Sequence, residues 1–217
     1  MALIELSCSD GHELDTIWVT PSHSPASRSI ILLHEIFGLT DYIQALCEYW
    51  AKQGFNVLAP ALFDRSEPSQ VISYSAPDQG LKIVSELTLD GLLKDIGACV
   101  AFLNGQGGSI GVLGYCWGGG LAFRAACDLS IDAAACVYPT RLLQHSDLTP
   151  RCPVQFHFAE RDKHASPEVR SAMLRSAPNA EHLLFAADHA FDRKAEQPAM
   201  DVSRDALKKF FSENLNA

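Results

Sequence analysis

A cysteine set between glycines is the residue of this chain most clearly placed to do chemistry. Gly114-Tyr115-Cys116-Trp117-Gly118 follows an apolar run ending at Leu113 and leads at once into a helix-forming stretch. It fits the nucleophile-elbow pattern G-x-S-x-G with a thiol in place of the hydroxyl. A nucleophile of this kind sits on a very tight strand-to-helix turn, so the residues two before and two after it must be small. The turn sets the thiol beside a helix N-terminus, whose partial positive charge favours thiolate over thiol. The backbone N–H of Trp117 would then face the reacting carbonyl and form half of an oxyanion hole. The same pentapeptide also arises where a buried cysteine merely packs against glycines, so its neighbours in the fold decide.

Those neighbours depend on the elements. Residues 3–8 and 14–19 predict a hairpin around Asp10-Gly11. The run SIILL at 29–33 reads as a strand buried on both faces. A helix over 41–53 stops at Gly54 and leads into a strand at 56–59. Residues 60–77, with Pro60, Pro68 and Pro77, read as a loop, and one long helical stretch follows over 78–104. Strands are predicted at 110–113, 133–137, 153–158 and 181–185, and helices at 117–128, 166–176 and 196–213. Alternating strands and helices imply an α/β fold: a mostly parallel central sheet with helices on both faces, reactive residues just beyond the carboxyl ends of the strands. At 217 residues the chain is expected to form a single domain, 1–217, with one core.

A thiol nucleophile needs a base, and the base needs an orienter. The elbow resembles that of the α/β-hydrolases, in which the chain order is nucleophile, acid, histidine. Asp162 leaves the strand at 153–158, where the acid belongs; Glu160, closer to the strand end, is its rival. His189 lies on the loop between the last strand and the last helix. The other histidines fit less well. His157 is inside a strand, His12 and His23 precede the core, His145 and His182 sit in polar context, and His164 follows Asp162 too closely to pair with it easily. Asp188 and Asp192 flank His189, but near neighbours in sequence rarely orient an imidazole.

A formal net charge of −9 argues against a general nucleic-acid surface. No signal segment and no run of 18 apolar residues is visible, so a cytoplasmic protein with no membrane partner is expected. Seven cysteines at irregular spacings, with no C-x-x-C pair, predict reduced thiols, neither a zinc site nor a thioredoxin-type pair. In His34-Glu35, Gly38 stands where a zinc motif would need a second histidine. No cofactor or metal is called for.

Together these residues resemble the dienelactone hydrolase (carboxymethylenebutenolidase-like) family of α/β-hydrolases. The resemblance runs from Ile30 to the last helix and rests on Leu33-His34-Glu35-Ile36-Phe37-Gly38, Gly114-Tyr115-Cys116-Trp117-Gly118-Gly119, Asp162, and His189-Ala190-Phe191. It implies hydrolysis of a small ester or lactone through an acyl-cysteine. Glu35 would help deprotonate Cys116, and the Ile36 amide would join that of Trp117 in the oxyanion hole. The family's dienelactone enzymes hold the substrate carboxylate with two arginines. Arg193 matches one; the other has no arginine to match it on the helix after the 60–77 loop, where Lys82 or Arg65 would have to substitute. That departure leaves a small-ester or thioester hydrolase without lactone specificity as the alternative. A thiol redox protein on the same fold is a further one. A monomer or weak oligomer is expected.

Overall fold

The computed structural model describes residues 1–22, 27–68 and 70–216; His23 lies outside the described residues. Two compact units are distinguished, Met1–Ile110 and Gly111–Asn216.

In the first unit the expected hairpin forms from β1 (Ala2–Ser7) and β2 (Glu13–Val19), antiparallel with Leu6 opposite Leu14. β2 pairs antiparallel with β4 (Asn56–Pro60), and β4 pairs parallel with β3 (Arg28–Leu33), Ile30 facing Val57. The order across this part of the sheet is β1-β2-β4-β3. Ile30, Ile31, Leu32 and Leu33 are all buried, as a strand covered on both faces requires. α1 (Asp41–Lys52) turns Ile43, Leu46, Cys47 and Trp50 inward, the spacing of one helical face, and packs on β2 and β4.

The long helix expected over 78–104 is two helices, α2 (Pro77–Glu86) and α3 (Leu89–Gln106). The apolar periodicity runs on across the junction, but Thr88 adopts extended backbone and its hydroxyl accepts the Gly91 N–H at 3.2 Å, capping a new helix start.

The second unit carries β5 (Ser109–Tyr115, all but its first two residues), β6 (Ala133–Val137), β7 (Val154–Ala159) and β8 (Glu181–Phe185), in that spatial order and all parallel. α4 (Trp117–Asp128), α5 (Pro167–Ser176) and α6 (Ala199–Asn214) complete it, with 3₁₀ turns at Leu142–His145 and Lys163–Ala165. α4 packs on β6, and α6 on β6 and β7. Register aligns the strand ends: Tyr115 faces Val137, Val137 faces His157, and Ala159 faces Phe185. The segments leaving β5, β6, β7 and β8 therefore emerge along one edge. Among the described residues antiparallel pairing is confined to the two ladders of β2, so the sheet is mostly parallel, as the alternation of elements predicts.

Candidate active site

Cys116 stands between β5 and α4 with φ 54° and ψ −115°, a left-handed conformation that a non-glycine residue holds only under constraint. The constraint comes from main-chain bonds. The Cys116 N–H donates to Val137 O at 3.0 Å, and Thr140 N–H donates to Cys116 O at 3.0 Å, so the exit of β6 grips the cysteine peptide on both sides. Gly119 N–H also donates to Cys116 O, starting α4. The turn is so tight that a Cβ at Gly114 would lie 1.9 Å from the Gly118 carbonyl oxygen, which explains the first elbow glycine.

Asp162 follows β7, and its carboxylate is wholly enclosed. One oxygen, Oδ1, accepts the His164 backbone N–H at 2.8 Å; the other, Oδ2, accepts Nδ1–H of His189 at 2.6 Å. Backbone bonds bring the two segments together: Glu160 N–H donates to Phe185 O and Arg161 N–H to Ala187 O. Nε2 of His189 lies 3.3 Å from Cys116 Sγ. With Nδ1–H committed to the carboxylate, Nε2 can take the thiol proton or, once protonated, donate to a thiolate. Cys116, His189 and Asp162 are thus brought together.

Two of the rival acids are engaged elsewhere and the third faces solvent. Asp188 pairs with Arg161 at 2.6 Å, buried Asp192 is held by two bonds from Arg204, and Glu160 is exposed. Among the rival histidines, His157 is buried between Ser203 and Gln155, and burial pushes its pKa down to about 3. His182 packs on the rings of Phe156 and Phe158. Burial pushes the thiols of Cys47 and Cys152 up to about 12, that of Cys127 up to about 11, and those of Cys99 and Cys136 well above the ordinary thiol range.

Two aromatic partners of the imidazole were not anticipated. Tyr138, fully buried with φ 35°, and His164 each set a ring edge-on to His189, both at 5.2 Å between centroids. Tyr138 is the first residue after β6, so the rule that reactive residues follow strands could have found it. His164 was weighed only as a partner for Asp162, and it is the backbone of His164 that bonds that carboxylate.

The remaining expected residues fall as follows. Glu35 and Ile36 follow β3 after His34, and Glu35 is only 2% exposed, far from the solvated carboxylate that a post-strand position suggests. The neighbouring His34 is fully buried, its Nδ1–H donating to Glu35 O at 2.6 Å and its Nε2 accepting the Leu62 N–H; burial lowers its pKa to about 4. Trp117 heads α4 and is buried. Arg193 is half-buried on the 186–198 loop, and Lys82 is exposed on α2. Arg65, the other candidate for a substrate contact, has its guanidinium tied to Asp95 and Asp10, at 2.7 and 3.0 Å. Among the described residues no group of three or more His, Cys, Asp or Glu could hold a metal ion, and no helix is long and apolar enough to cross a membrane.

This architecture is the α/β-hydrolase fold. A protein of Klebsiella pneumoniae subsp. pneumoniae described as a dienelactone hydrolase matches with a TM-score of 0.84 over 98% of this chain and 99% of its own, at 21% identity. The dienelactone hydrolase family model matches residues 14–215, and the chain belongs to that family of hydrolases. Carboxymethylenebutenolidase 1 of Cupriavidus pinatubonensis is 26% identical over 152 residues, 66% of this chain and 65% of that protein, just under two thirds of its length. The carboxymethylenebutenolidase of Pseudomonas putida is 26% identical over 203 residues, 88% of this chain and 85% of that protein.

Proposed function

We propose that the protein hydrolyses a small ester or lactone through an acyl-cysteine intermediate. The observation that carries this reading is the continuous relay from Asp162 Oδ2 through His189 to Cys116 Sγ, at 2.6 and 3.3 Å. His189 takes the thiol proton, and the thiolate attacks the substrate carbonyl to give a tetrahedral oxyanion. The backbone amides of Trp117 and Ile36 are the proposed donors to that oxyanion. His189 returns its proton to the departing alkoxide or enolate. It then takes a proton from water as that water attacks the thioester, and Cys116 leaves protonated with release of the acid. Asp162 fixes the imidazole tautomer throughout, and family likeness assigns Glu35 to help ionise Cys116. A thiolate suits substrates with a good leaving group, such as aryl esters and enol-lactones.

The relatives' name, carboxymethylenebutenolidase, describes a lactone bearing a carboxylate. Arg193 and Lys82 are the proposed contacts for such a group. The engagement of Arg65 by Asp10 and Asp95 favours a second reading, a small-ester or thioester hydrolase without carboxylate selectivity. Arg193→Ala separates them: a loss of kcat/KM confined to carboxylate-bearing substrates supports the first, and equal effects on neutral ones the second. Burial keeps the other thiols protonated, which leaves a redox relay without a second reactive cysteine. Cys116→Ala is expected to abolish turnover of p-nitrophenyl acetate and of a small enol-lactone. Turnover retained by that variant would overturn the reading.

A further inference from the structure

Beyond β3 the side chain of His34 turns back onto the main chain that follows it. The Glu35 carbonyl can only accept and the Leu62 N–H can only donate. These two partners therefore set the tautomer: Nδ1 carries the proton and Nε2 does not. Burial keeps the ring neutral, with its pKa lowered to about 4. The ring is held in place as well. Leu62 N–H bonds Nε2 at 3.2 Å, Phe63 stands edge-on to it with centroids 5.0 Å apart, and the side chain is fully buried. Many buried histidines pin a loop; this one pins a particular peptide.

In a trans peptide the C=O and the following N–H share a plane and point opposite ways. The 2.6 Å bond to Glu35 O therefore fixes the direction of the Ile36 N–H. Drawing charge toward that oxygen also makes the N–H a stronger donor. The next peptides are confined too. A Cβ at Gly80 of α2 would lie 1.9 Å from Ile36 O, and Phe37 O accepts the Ile72 N–H at 2.9 Å.

We infer that His34 is a positioning residue for acyl transfer, aiming and strengthening the Ile36 N–H as an oxyanion donor through the Glu35–Ile36 peptide. This rests on the oxyanion role proposed above for that amide. His34 moves no proton in the reaction; it acts through one peptide plane. A side chain that fills the same space without a donor at the Nδ1 position would leave the Cys116 thiol as it is and weaken only the steps that build an oxyanion.

The test separates those steps from the nucleophile. In His34→Asn the amide N–H₂ can stand where Nδ1–H stands, whereas in His34→Gln the amide lies near the Nε2 position and leaves Glu35 O unbonded. For His34→Gln, kcat on p-nitrophenyl acetate is expected to fall by about tenfold or more with KM little changed, and His34→Asn should recover most of the loss. Alkylation of Cys116 by iodoacetamide displaces iodide at a saturated carbon and builds no oxyanion, so its rate should match the wild type in both variants. Turnover and alkylation falling together would mean a loosened fold and overturn the inference, as would an unchanged kcat in His34→Gln. The wild type gives a reading that needs no variant to fold. When a trifluoromethyl ketone adds to Cys116 and forms its oxyanion, the NMR signals of Ile36 N–H and His34 Nδ1–H should move downfield together. Movement of Ile36 N–H alone would overturn the inference. A wild type without esterase activity would sink the hydrolytic reading and this inference with it, whereas a fully active His34→Gln sinks the inference alone.

Discussion

Two clusters in this protein each join an enclosed aspartate, a nitrogen group and a cysteine, and only one of them sets an imidazole against the thiol. In the second unit a fully enclosed aspartate, Asp162, meets an imidazole, and the imidazole meets Cys116. In the first unit Asp95 of α3, equally enclosed, meets the Arg65 guanidinium, with Nε 2.8 Å from Oδ2 and Nη2 2.7 Å from Oδ1. Here Cys8 Sγ donates straight to Asp95 Oδ1 at 3.2 Å. Burial first, then the bond to and charge of Asp95, push the Cys8 thiol up to about 12. A carboxylate touching a thiol holds its proton on. A carboxylate touching it through an imidazole gives the proton somewhere to go. The cation matters too: a guanidinium never releases a proton in this range, whereas an imidazole exchanges one near neutrality.

The strongest way to break this comparison is to spoil the relay without removing it. In Asp162→Asn the amide can pin the wrong imidazole tautomer, and kcat on p-nitrophenyl acetate is expected to fall by about 10³-fold or more. A loss below tenfold, measured by steady-state kinetics, would mean that Asp162 does not orient His189. The next largest effect belongs to the other cluster. Arg65→Met leaves Asp95 buried without its cation and should cost about 3 kcal/mol in urea unfolding. Its kcat/KM on neutral esters should be unchanged. Lost activity in a folded Arg65→Met would return this arginine to the substrate site.

The smallest effect sharpens the contrast between the two cysteines. In Cys8→Ser a hydroxyl takes over the bond to Asp95, so stability at pH 7 should change by about 1 kcal/mol or less. The pH dependence should differ more. Because the folded-state pKa of Cys8 is raised, the unfolded chain loses its thiol proton first. The stabilisation is full below the ordinary thiol value of 9.0 and is lost as pH rises from there toward 12. Unfolding curves over that range should therefore be flatter for Cys8→Ser than for the wild type. Parallel curves would show that the Cys8 proton is not linked to folding.

What was legible in the sequence follows from what is local. The apolar runs that became β3, β5 and β7 are each followed within a few residues by Glu35, Cys116 and Asp162; position after a strand drew attention to Cys116 and Asp162, the order nucleophile, acid, histidine pointed to His189, and only the family resemblance gave Glu35 a role. The break between α2 and α3 was missed because apolar spacing continues through it, and only the hydroxyl of Thr88 marks the restart. Asp95 lay hidden inside the same helical stretch, and nothing in the sequence joins it to Arg65, 30 residues away, or to Cys8, 87 residues away. Tyr138 and His164 were passed over because both lie against the imidazole from the side, a relation that no spacing rule encodes.

The grip of β6 on the elbow also governs which substitutions the site can absorb. Tyr138 and Thr140 each spend their backbone N–H on a bond, to His157 O and Cys116 O, and Pro139 occupies the one place between them where no N–H is required. Moving that proline by one residue in either direction would cut one of the two threads. The side chain at 116, by contrast, takes no part in holding its own peptide. The position works as an interchangeable mount: serine could be fitted there with the main chain undisturbed, so the proposed nucleophile can be exchanged while the frame that aims it stays fixed.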